Sequence, residues 1–200
     1  MARIVTADYD LDIEVPSLEN MSDEGFFNFC AQNKNSRIER DENHQIYIKA
    51  PAGLLGSSLN AIVSSLLFQW NSRKKTGIVF DSSGGFFLPD KSMKSPDAAW
   101  LSNTKWTAIP EKDKLKFSYV VPEFIIEVMV PPDRLPQLKQ KMEKWIGNGV
   151  LLAWLIVPRS KQTFIYREDG SVDIIKSFDE KLSGEGVLPG FVFDLNSLKA

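Results

Sequence analysis

Residues 122–130 read PEFIIEVMV, and this run decides how the rest of the chain is interpreted. The segment from Phe124 to Val130 is apolar and largely β-branched, and prolines lie on both sides of it, which predicts a short buried strand. Its single interruption is Glu127. A carboxylate inside such a strand is costly unless it is paired, hydrogen-bonded or bound to a cation. Glu127 is therefore the first residue that needs a physical explanation.

A strand–helix–strand unit is predicted around this run. Apolar residues recur at helical spacing after it, which predicts a helix from Leu135 to Gly147 with one buried face. That face consists of Leu135, Leu138, Met142, Trp145 and Ile146. The apolar segment from Ala153 to Val157 then predicts another strand.

The rest of the chain also mixes helices and strands. Met21 to Lys34 predicts a helix capped by Ser22, and the spacing of residues 59–70 predicts an amphipathic helix capped by Ser57 or Ser58. Alternation in residues 45–49, after turn-prone residues, predicts a hairpin with residues 37–40. Further strands are predicted at 78–80, 86–88, 95–101, 163–166, 172–175 and within 187–195, with a surface excursion at 102–121. The sequence thus predicts an α/β or α+β fold, with one domain at 21–200 after an acidic arm at 1–20.

Length and composition fit one globular domain. The chain has 200 residues, of which 43% are hydrophobic and 25% charged, and this length can bury a core without disulfides. No apolar run approaches the roughly 20 residues that cross a bilayer, and the amino terminus lacks the apolar segment of a signal peptide. Cys30 is the single cysteine, which suits a reducing compartment. We therefore expect a cytoplasmic protein with no membrane association.

The charge distribution offers no general attraction to nucleic acid, but the lysines cluster locally. The net charge is −2. Lys74 and Lys75 are adjacent, and Lys91 lies close to Lys94 in sequence. These four lysines are candidates for contacts with DNA phosphates, which would be salt-sensitive and independent of base sequence. The alternative is that each cluster is an ordinary solvated surface.

Asp97 is a second carboxylate that the sequence places in an apolar strand beside a proline. If its strand lies beside that of Glu127, the two carboxylates repel each other, and a divalent cation between them removes the repulsion. Oxygen ligands suit Mg²⁺ or Mn²⁺, and such a metal can polarise a phosphodiester and generate hydroxide from bound water. The alternative is that Asp97 caps a turn after Pro96 while Glu127 pairs with a lysine.

A lysine near these carboxylates would complete a hydrolytic site. Strand alternation puts Met129 on the same face as Glu127, so the strand itself offers no lysine there. The following helix carries Lys139 and Lys141 at opposite edges of its buried face, and either could reach inward along its aliphatic stem. Periodicity does not choose between them, nor does it exclude that both are solvated.

Three other features are interpreted as structural. The glycine-serine turn at 81–85 lacks the lysine of a phosphate-binding loop and precedes a strand, so it predicts a hairpin turn and no nucleotide cofactor. His44 is the single histidine, which argues against a histidine triad or a zinc cluster. The five tryptophans fall mostly at core-facing positions and are interpreted as packing rather than as platforms for base stacking.

Taken in order, several of these motifs resemble the PD-(D/E)XK nuclease superfamily, and in particular its Uma-two group of restriction-endonuclease-like proteins. The resemblance rests on Ser95-Pro96-Asp97, on Phe124-Ile125-Ile126-Glu127-Val128, on the pattern of Lys141, Trp145, Gly149 and Val150, and on Trp154-Leu155-Ile156-Val157-Pro158. It also includes the glycine-serine turn and the segment 187–191, so it spans about residues 20–195.

The resemblance implies a restriction-endonuclease-like core, with a central mixed β-sheet flanked by helices, often in a homodimer. It implies Asp97 and Glu127 as ligands of Mg²⁺ or Mn²⁺, and Lys141 as the catalytic lysine displaced onto the helix. It also implies Glu39 as an upstream acidic residue of the catalytic site. For Glu39 the alternative is a surface glutamate at a strand edge.

Two departures from the family pattern leave more than one function open. Met129 stands where the strict motif has its lysine, and the loop at 130–133 lacks the serine that relatives usually have. The expected function is Mg²⁺-dependent endonuclease cleavage of DNA phosphodiester bonds. The alternative is a catalytically degenerate nuclease-fold module for binding or assembly. Hydrolysis of a phosphate ester outside nucleic acid would use the same site.

Overall fold

The structure is a computed structural model that describes residues 21–34, 36–49 and 52–199, together with the backbone of residues 4–6. Apart from residues 4–6, which form a strand, the predicted acidic arm at 1–20 lies outside the described residues.

Thirteen strands and four α-helices are assigned within the described residues, numbered here along the chain. The helices are α1 (Asp23–Gln32), α2 (Leu54–Lys74), α3 (Asn103–Ala108) and α4 (Leu135–Gly147). The strands are β1 (Ile4–Thr6), β2 (Arg37–Arg40), β3 (Ile46–Lys49), β4 (Gly77–Asp81), β5 (Phe86–Phe87), β6 (Met93–Lys94), β7 (Ala98–Ser102), β8 (Phe124–Val128), β9 (Leu152–Val157), β10 (Gln162–Arg167), β11 (Val172–Ile175), β12 (Lys181–Ser183) and β13 (Val192–Asp194).

The largest sheet of the described chain has six strands in the order β11-β10-β9-β8-β7-β4. Strands β8 and β9 pair in parallel, while the other neighbours pair antiparallel, so the sheet is mixed. Parallel neighbours need a crossover connection, and α4 supplies it between β8 and β9. The predicted strand–helix–strand unit is confirmed.

Helices cover both faces of this sheet. Leu59, Val63 and Leu67 of α2 pack with the C-terminal segment on one face. Leu138 and Met142 of α4 pack on the other face. Since both faces are buried, β8 and β9 read as continuous apolar runs rather than as alternating ones. The predicted fold class, a central mixed sheet flanked by helices, is confirmed.

A second sheet lies beside the first, with strands in the order β1-β3-β2-β6-β5. Helix α1 packs on it through Phe26 and Phe29. Ser22 caps this helix by accepting a hydrogen bond from the Gly25 N–H, as predicted. Strands β2 and β3 form the predicted hairpin, with Arg37 opposite Lys49. This register brings two cations to the same end of the hairpin.

Residues 95–97 form the connection between the two sheets. The predicted strand at 95–101 is wrong at its start, because β6 ends at Lys94 in the smaller sheet and β7 begins at Ala98 in the larger one. Pro96 has no N–H to donate to a ladder, which explains why neither strand continues through it. The segment that carries Asp97 is therefore a crossing point between two sheets.

Two other sequence predictions need correction. The turn at 81–85 is not a hairpin turn, because β4 pairs with β7 and β5 pairs with β6, in different sheets. Helix α2 begins at Leu54 with Gly53 as its N-cap, several residues before the predicted start. Leu54 and Leu55 are exposed, so they lie outside the amphipathic pattern from which the start was predicted. The excursion at 102–121 contains the short helix α3.

Among the described residues, no helix has both the length and the apolar character that crossing a bilayer requires.

Gly77 lies where β4 approaches β7 most closely, and this contact generates a test of the fold. A Cβ at position 77 would lie 2.2 Å from the Leu101 carbonyl oxygen and 2.5 Å from the Trp100 ring. We expect Gly77→Ala to lower the free energy of unfolding by about 1–3 kcal/mol, because backbone and ring cannot both move aside. Urea denaturation measures the effect.

Gly147→Ala is the matched control, because a Cβ at position 147 in α4 would meet nothing within 4 Å. We expect this variant to be unchanged or more stable by up to about 1 kcal/mol. Equal stability of the two variants would contradict the close approach of β4 and β7.

Candidate functional site

The pairing of β7 with β8 brings Asp97 close to Glu127. The ladder ends where Ala98 pairs with Ile126, and the preceding Asp97 N–H donates to the Ile126 carbonyl at 3.0 Å, which holds Asp97 beside the end of β8. Both side chains line a small cavity and both are buried. Two carboxylates thus share a confined space at the junction of the sheets.

Asp97 is held by three contacts from three different elements. Its Oδ2 accepts a hydrogen bond from the Val128 N–H at 2.8 Å, and its Oδ1 accepts one from Asn60 Nδ2 of α2 at 3.1 Å. The Arg37 Nη2 lies 3.0 Å from the same Oδ1 in an ion pair. The possibility that Asp97 only caps a turn does not account for these contacts.

Glu127 is 2% exposed and is contacted from α4 on the far face of the sheet. Its Oε1 accepts a hydrogen bond from the Trp145 Nε1 at 3.2 Å and lies 2.6 Å from the Lys141 Nζ. The helix stripe that packs on β8 therefore also supplies the polar partners of the buried carboxylate.

Lys141 is the helix lysine that reaches the carboxylates. Its Nζ donates to Glu39 Oε1 at 2.7 Å and to the Ser95 carbonyl at 3.2 Å, in addition to its contact with Glu127. Lys139 points elsewhere, with its Nζ 4.3 Å from the centre of the Phe164 ring. Periodicity alone left these two lysines undistinguished, and the packing of α4 separates them.

Glu39 is buried rather than exposed at a strand edge. Its side chain accepts a hydrogen bond from the Ser95 N–H at 3.4 Å, and the amines of Lys49 and Lys94 lie within 3.6–3.7 Å. Lys141 therefore stands between Glu39 on one side and Glu127 on the other.

The pKa values of these groups depart from their ordinary range for identifiable reasons. Burial raises the pKa of Glu127, because desolvation penalises its charged form more than the nearby Lys141 favours it. Burial acts on Glu39 in the same sense, but three lysines outweigh it and hold its pKa well below the usual range. Burial opposes the charge of Lys141, but the two glutamates dominate and raise its pKa. Lys141 therefore stays an ammonium.

A divalent cation suits the donor set of this site. The cavity that Asp97 and Glu127 line has a volume of about 70 Å³, which is room for an ion and several waters. Mg²⁺ commonly rests on one or two carboxylates and takes its other ligands from water and phosphate. Within the described residues, no three His, Cys, Asp or Glu side chains are grouped so that they could hold a metal ion. Asp133 also lines the cavity, and its Oδ2 accepts a hydrogen bond from the Val130 N–H at 3.2 Å. The buried carboxylates that would hold a metal are therefore Asp97 and Glu127.

The four lysines considered for DNA contacts lie in different surroundings. Lys74 and Lys75 are exposed at the C-terminal end of α2, 14 and 15 residues beyond Asn60, which is about 21 Å along the helix. Lys91 is exposed in the turn before β6. Lys94 is 8% exposed and faces Glu39 and the Tyr47 ring, so it belongs to the buried cluster rather than to the surface.

Sequence reasoning missed four residues of the site, which are Arg37, Lys49, Asn60 and Trp145. Arg37 and Lys49 look like exposed charges of a hairpin, and only the packing of that hairpin against the larger sheet turns them inward. Trp145 was predicted as a core residue, which it is, but its indole N–H also binds Glu127. A signal for Trp145 was available in the sequence. Trp145 lies one helical turn after Lys141, on the helix that follows the strand of Glu127, so both side chains could reach that carboxylate.

The fold of this chain is shared with a solved structure. The structure is similar to a crystal structure described as that of a putative nuclease belonging to DUF820 from Anabaena variabilis ATCC 29413. The TM-score is 0.68 with 16% sequence identity, over 80% of this chain and 88% of the other.

The family follows from the sequence match. The family model Uma2, described as putative restriction endonuclease, matches residues 23–196, and the chain belongs to this family. The resemblance noted from the sequence motifs is thereby confirmed. No curated protein matches the chain.

The position of Lys141 between two buried glutamates generates a prediction with a defined pH dependence. Lys141→Met leaves both carboxylates buried without this cation, and we expect a loss of about 3–5 kcal/mol of unfolding free energy at pH 7. Without the ammonium, the pKa of each glutamate rises in the folded variant, so the folded state binds more protons than the unfolded state as the pH falls. The difference in unfolding free energy between Lys141→Met and the unchanged protein should therefore narrow between about pH 7 and pH 4.

Lys139→Met is the control for this measurement. It removes a helix lysine of the same type that contacts an aromatic ring, and we expect a loss of no more than about 1 kcal/mol without the same pH dependence. Urea denaturation at several pH values compares the two variants. A Lys141→Met protein as stable as the unchanged one at pH 7 would refute the buried ion-pair arrangement.

Proposed function

We propose that this protein is a divalent-metal-dependent endonuclease that hydrolyses DNA phosphodiester bonds. The proposed catalytic residues are Asp97, Glu127, Lys141 and Glu39. The observation that supports this function is that two buried carboxylates from separate segments line one cavity, while a buried ammonium from α4 contacts one of them, in a chain of a nuclease-like family.

Asp97 and Glu127 are the residues proposed to hold Mg²⁺ or Mn²⁺. When bound, such a metal polarises the phosphodiester and lowers the pKa of a bound water. The Val128 N–H and Asn60 keep Asp97 oriented, and the Trp145 indole does the same for Glu127. These contacts fix the two carboxylates before any ligand arrives, which avoids reorganisation during the reaction.

Lys141 is proposed to act through its charge. Because its pKa is raised, its ammonium donates hydrogen bonds and does not serve as a base. Its proposed role is to orient the attacking water and to stabilise, through its charge, the negative charge that develops on the phosphate oxygens. Glu39 and the Ser95 carbonyl hold the ammonium in place, so their proposed role is positioning.

The DNA backbone is proposed to contact the exposed lysines. Lys91, Lys74 and Lys75 are free to bind phosphates, and the α2 pair would contact phosphates distant from the cleaved one. Lys94 would act from within the buried cluster. Cleavage of both strands of a duplex requires two active sites, and the strands run in opposite directions. We therefore propose a homodimer with a twofold axis. We also propose that it acts in the cytoplasm.

A non-catalytic nuclease-fold module for binding or assembly is the second candidate. Two observations favour it. Arg37 forms an ion pair with Asp97, and Met129 packs with the apolar cluster on the α4 face of the sheet rather than supplying an amine. Such a protein would bind its partner without turnover and would show no Mn²⁺ affinity that depends on Asp97.

Substitution of the proposed metal ligands tests the endonuclease function. We expect Asp97→Asn and Glu127→Gln each to lower the nicking rate of supercoiled plasmid DNA in Mg²⁺ or Mn²⁺ by about 100-fold or more, because a neutral amide no longer stabilises the cation. EDTA should abolish the activity of the unchanged protein.

Glu123→Gln is the matched control in this assay. Glu123 is also a buried carboxylate beside β8, but it accepts hydrogen bonds from Ser102 at 2.7 and 3.0 Å and lies outside the cavity. We expect this variant to fold and to keep its nicking rate. Unchanged cleavage by a folded Asp97→Asn protein would remove Asp97 from the active site.

A further inference from the structure

Arg37 occupies a position beside the proposed metal ligands that nothing in the fold requires of an arginine. It lies on β2, and its Nη2 is 3.0 Å from Asp97 Oδ1. Its side chain borders the same 70 Å³ cavity as Asp97 and Glu127. The guanidinium is thus the cation nearest to Asp97 among the described ion pairs.

The guanidinium of Arg37 is held by charge rather than by directed hydrogen bonds. Its Nε and Nη2 are buried, and in the described part of the chain neither has a partner in hydrogen-bond geometry. Arg40, two residues later, provides the contrast, because its Nη atoms donate to the Met21 carbonyl and to Asp23. Its guanidinium also stacks over the Phe26 and Phe87 rings. Arg40 is thus held by several directed contacts, whereas Arg37 is held by its ion pair with Asp97.

The charge balance around the cavity gives a reason for displacement. Three carboxylates, Asp97, Glu127 and Asp133, and two cations, Arg37 and Lys49, line the cavity. The adjoining ion pairs add Glu39, Lys94 and Lys141. A divalent ion at Asp97 would add two positive charges within a few ångströms of the Arg37 guanidinium, and like charges at that distance repel strongly in a partly buried site. The side chain of Arg37 is 26% exposed, so it has a route toward solvent.

We propose that Arg37 is an internal counter-ion which a divalent metal displaces from Asp97, so that this arginine sets the metal affinity of the site. The inference rests on the proposed function, because it assumes that Asp97 and Glu127 bind the metal. It explains which group compensates the charge of Asp97 in the protein without a metal. It also means that metal binding moves a guanidinium to the mouth of the cavity, where a phosphate anion would enter.

Calorimetric titration of the full chain with Mn²⁺, without DNA, tests this proposal. We expect Arg37→Gln to bind Mn²⁺ about tenfold or more tightly than the unchanged protein, because the competing charge is gone. Arg37→Lys keeps the charge and should bind like the unchanged protein. Thermal unfolding gives an independent readout, since Mn²⁺ should raise the midpoint of Arg37→Gln more than that of the unchanged protein at the same concentration.

Lys49→Gln is the matched control, because Lys49 lies opposite Arg37 in the hairpin and is similarly exposed, but pairs with Glu39 instead of Asp97. We expect a smaller gain in Mn²⁺ affinity from this variant than from Arg37→Gln. Equal gains would show a general charge effect and would overturn the specific role of Arg37.

Two further outcomes separate this inference from the proposed function. If the unchanged protein binds Mn²⁺, loses it in Asp97→Asn, and Arg37→Gln binds no more tightly, the counter-ion role is wrong while the metal site stands. If neither the unchanged protein nor Arg37→Gln binds Mn²⁺, both proposals fail. If Arg37→Gln does not fold, Arg37→Lys provides the test. Mn²⁺ should shift the thermal unfolding midpoint of Arg37→Lys as much as that of the unchanged protein, and a different shift would contradict a role based on charge.

Discussion

The site depends on one buried interaction, the contact of the Lys141 ammonium with two glutamates. Its Nζ lies 2.6 Å from Glu127 and 2.7 Å from Glu39, and all three side chains are at most 9% exposed. Burying one charge alone is very costly, so each member of this group is tolerable only because the others are present. The three residues belong to β8, β2 and α4. One ammonium therefore ties the two sheets and a covering helix to a common point.

That common point coincides with the crossing between the sheets. The backbone of residues 95–97 makes hydrogen bonds to three different elements. The Ser95 N–H donates to Glu39, and the Ser95 carbonyl accepts from Lys141. The Asp97 N–H donates to the Ile126 carbonyl of β8. Pro96 separates these donors and keeps the segment out of either ladder. The geometry of the candidate site therefore depends on the way in which the sheets join, and a shift of one sheet against the other would alter the contacts of Arg37 with Asp97 and of Glu39 with Lys141.

The sequence predicted those parts of the site whose physical signal is local. Glu127 stands out as a carboxylate in an apolar strand, and Asp97 follows a proline between two such segments. The choice of Lys141 came from resemblance, because helical periodicity placed Lys139 and Lys141 on equal terms. Arg37 could not be found in this way. Its hairpin has an ordinary alternating pattern, and the direction of its side chain is set by the contact between two sheets far apart in sequence.

The same distinction explains the errors in the fold. The strands β8 and β9 were predicted because burial on both faces leaves a continuous apolar pattern. The helix α4 was predicted because its one buried face leaves apolar residues at helical spacing. The turn at 81–85 was mistaken for a hairpin turn because a turn's residues specify its local conformation, whereas the partner of each flanking strand depends on long-range pairing. The start of α2 was missed because Leu54 and Leu55 face solvent, so the amphipathic pattern does not extend to them.

Stability alone does not account for the buried charges of this chain. Replacing a buried ion pair by well-packed apolar residues is often neutral or stabilising, and β8 and α4 already present apolar surfaces that would accommodate such residues. Asp97 and Glu127 instead line a cavity at the sheet junction, and each is oriented by a donor from another segment. The proposed function supplies the reason for this arrangement, because a metal site requires carboxylates that are held in fixed directions.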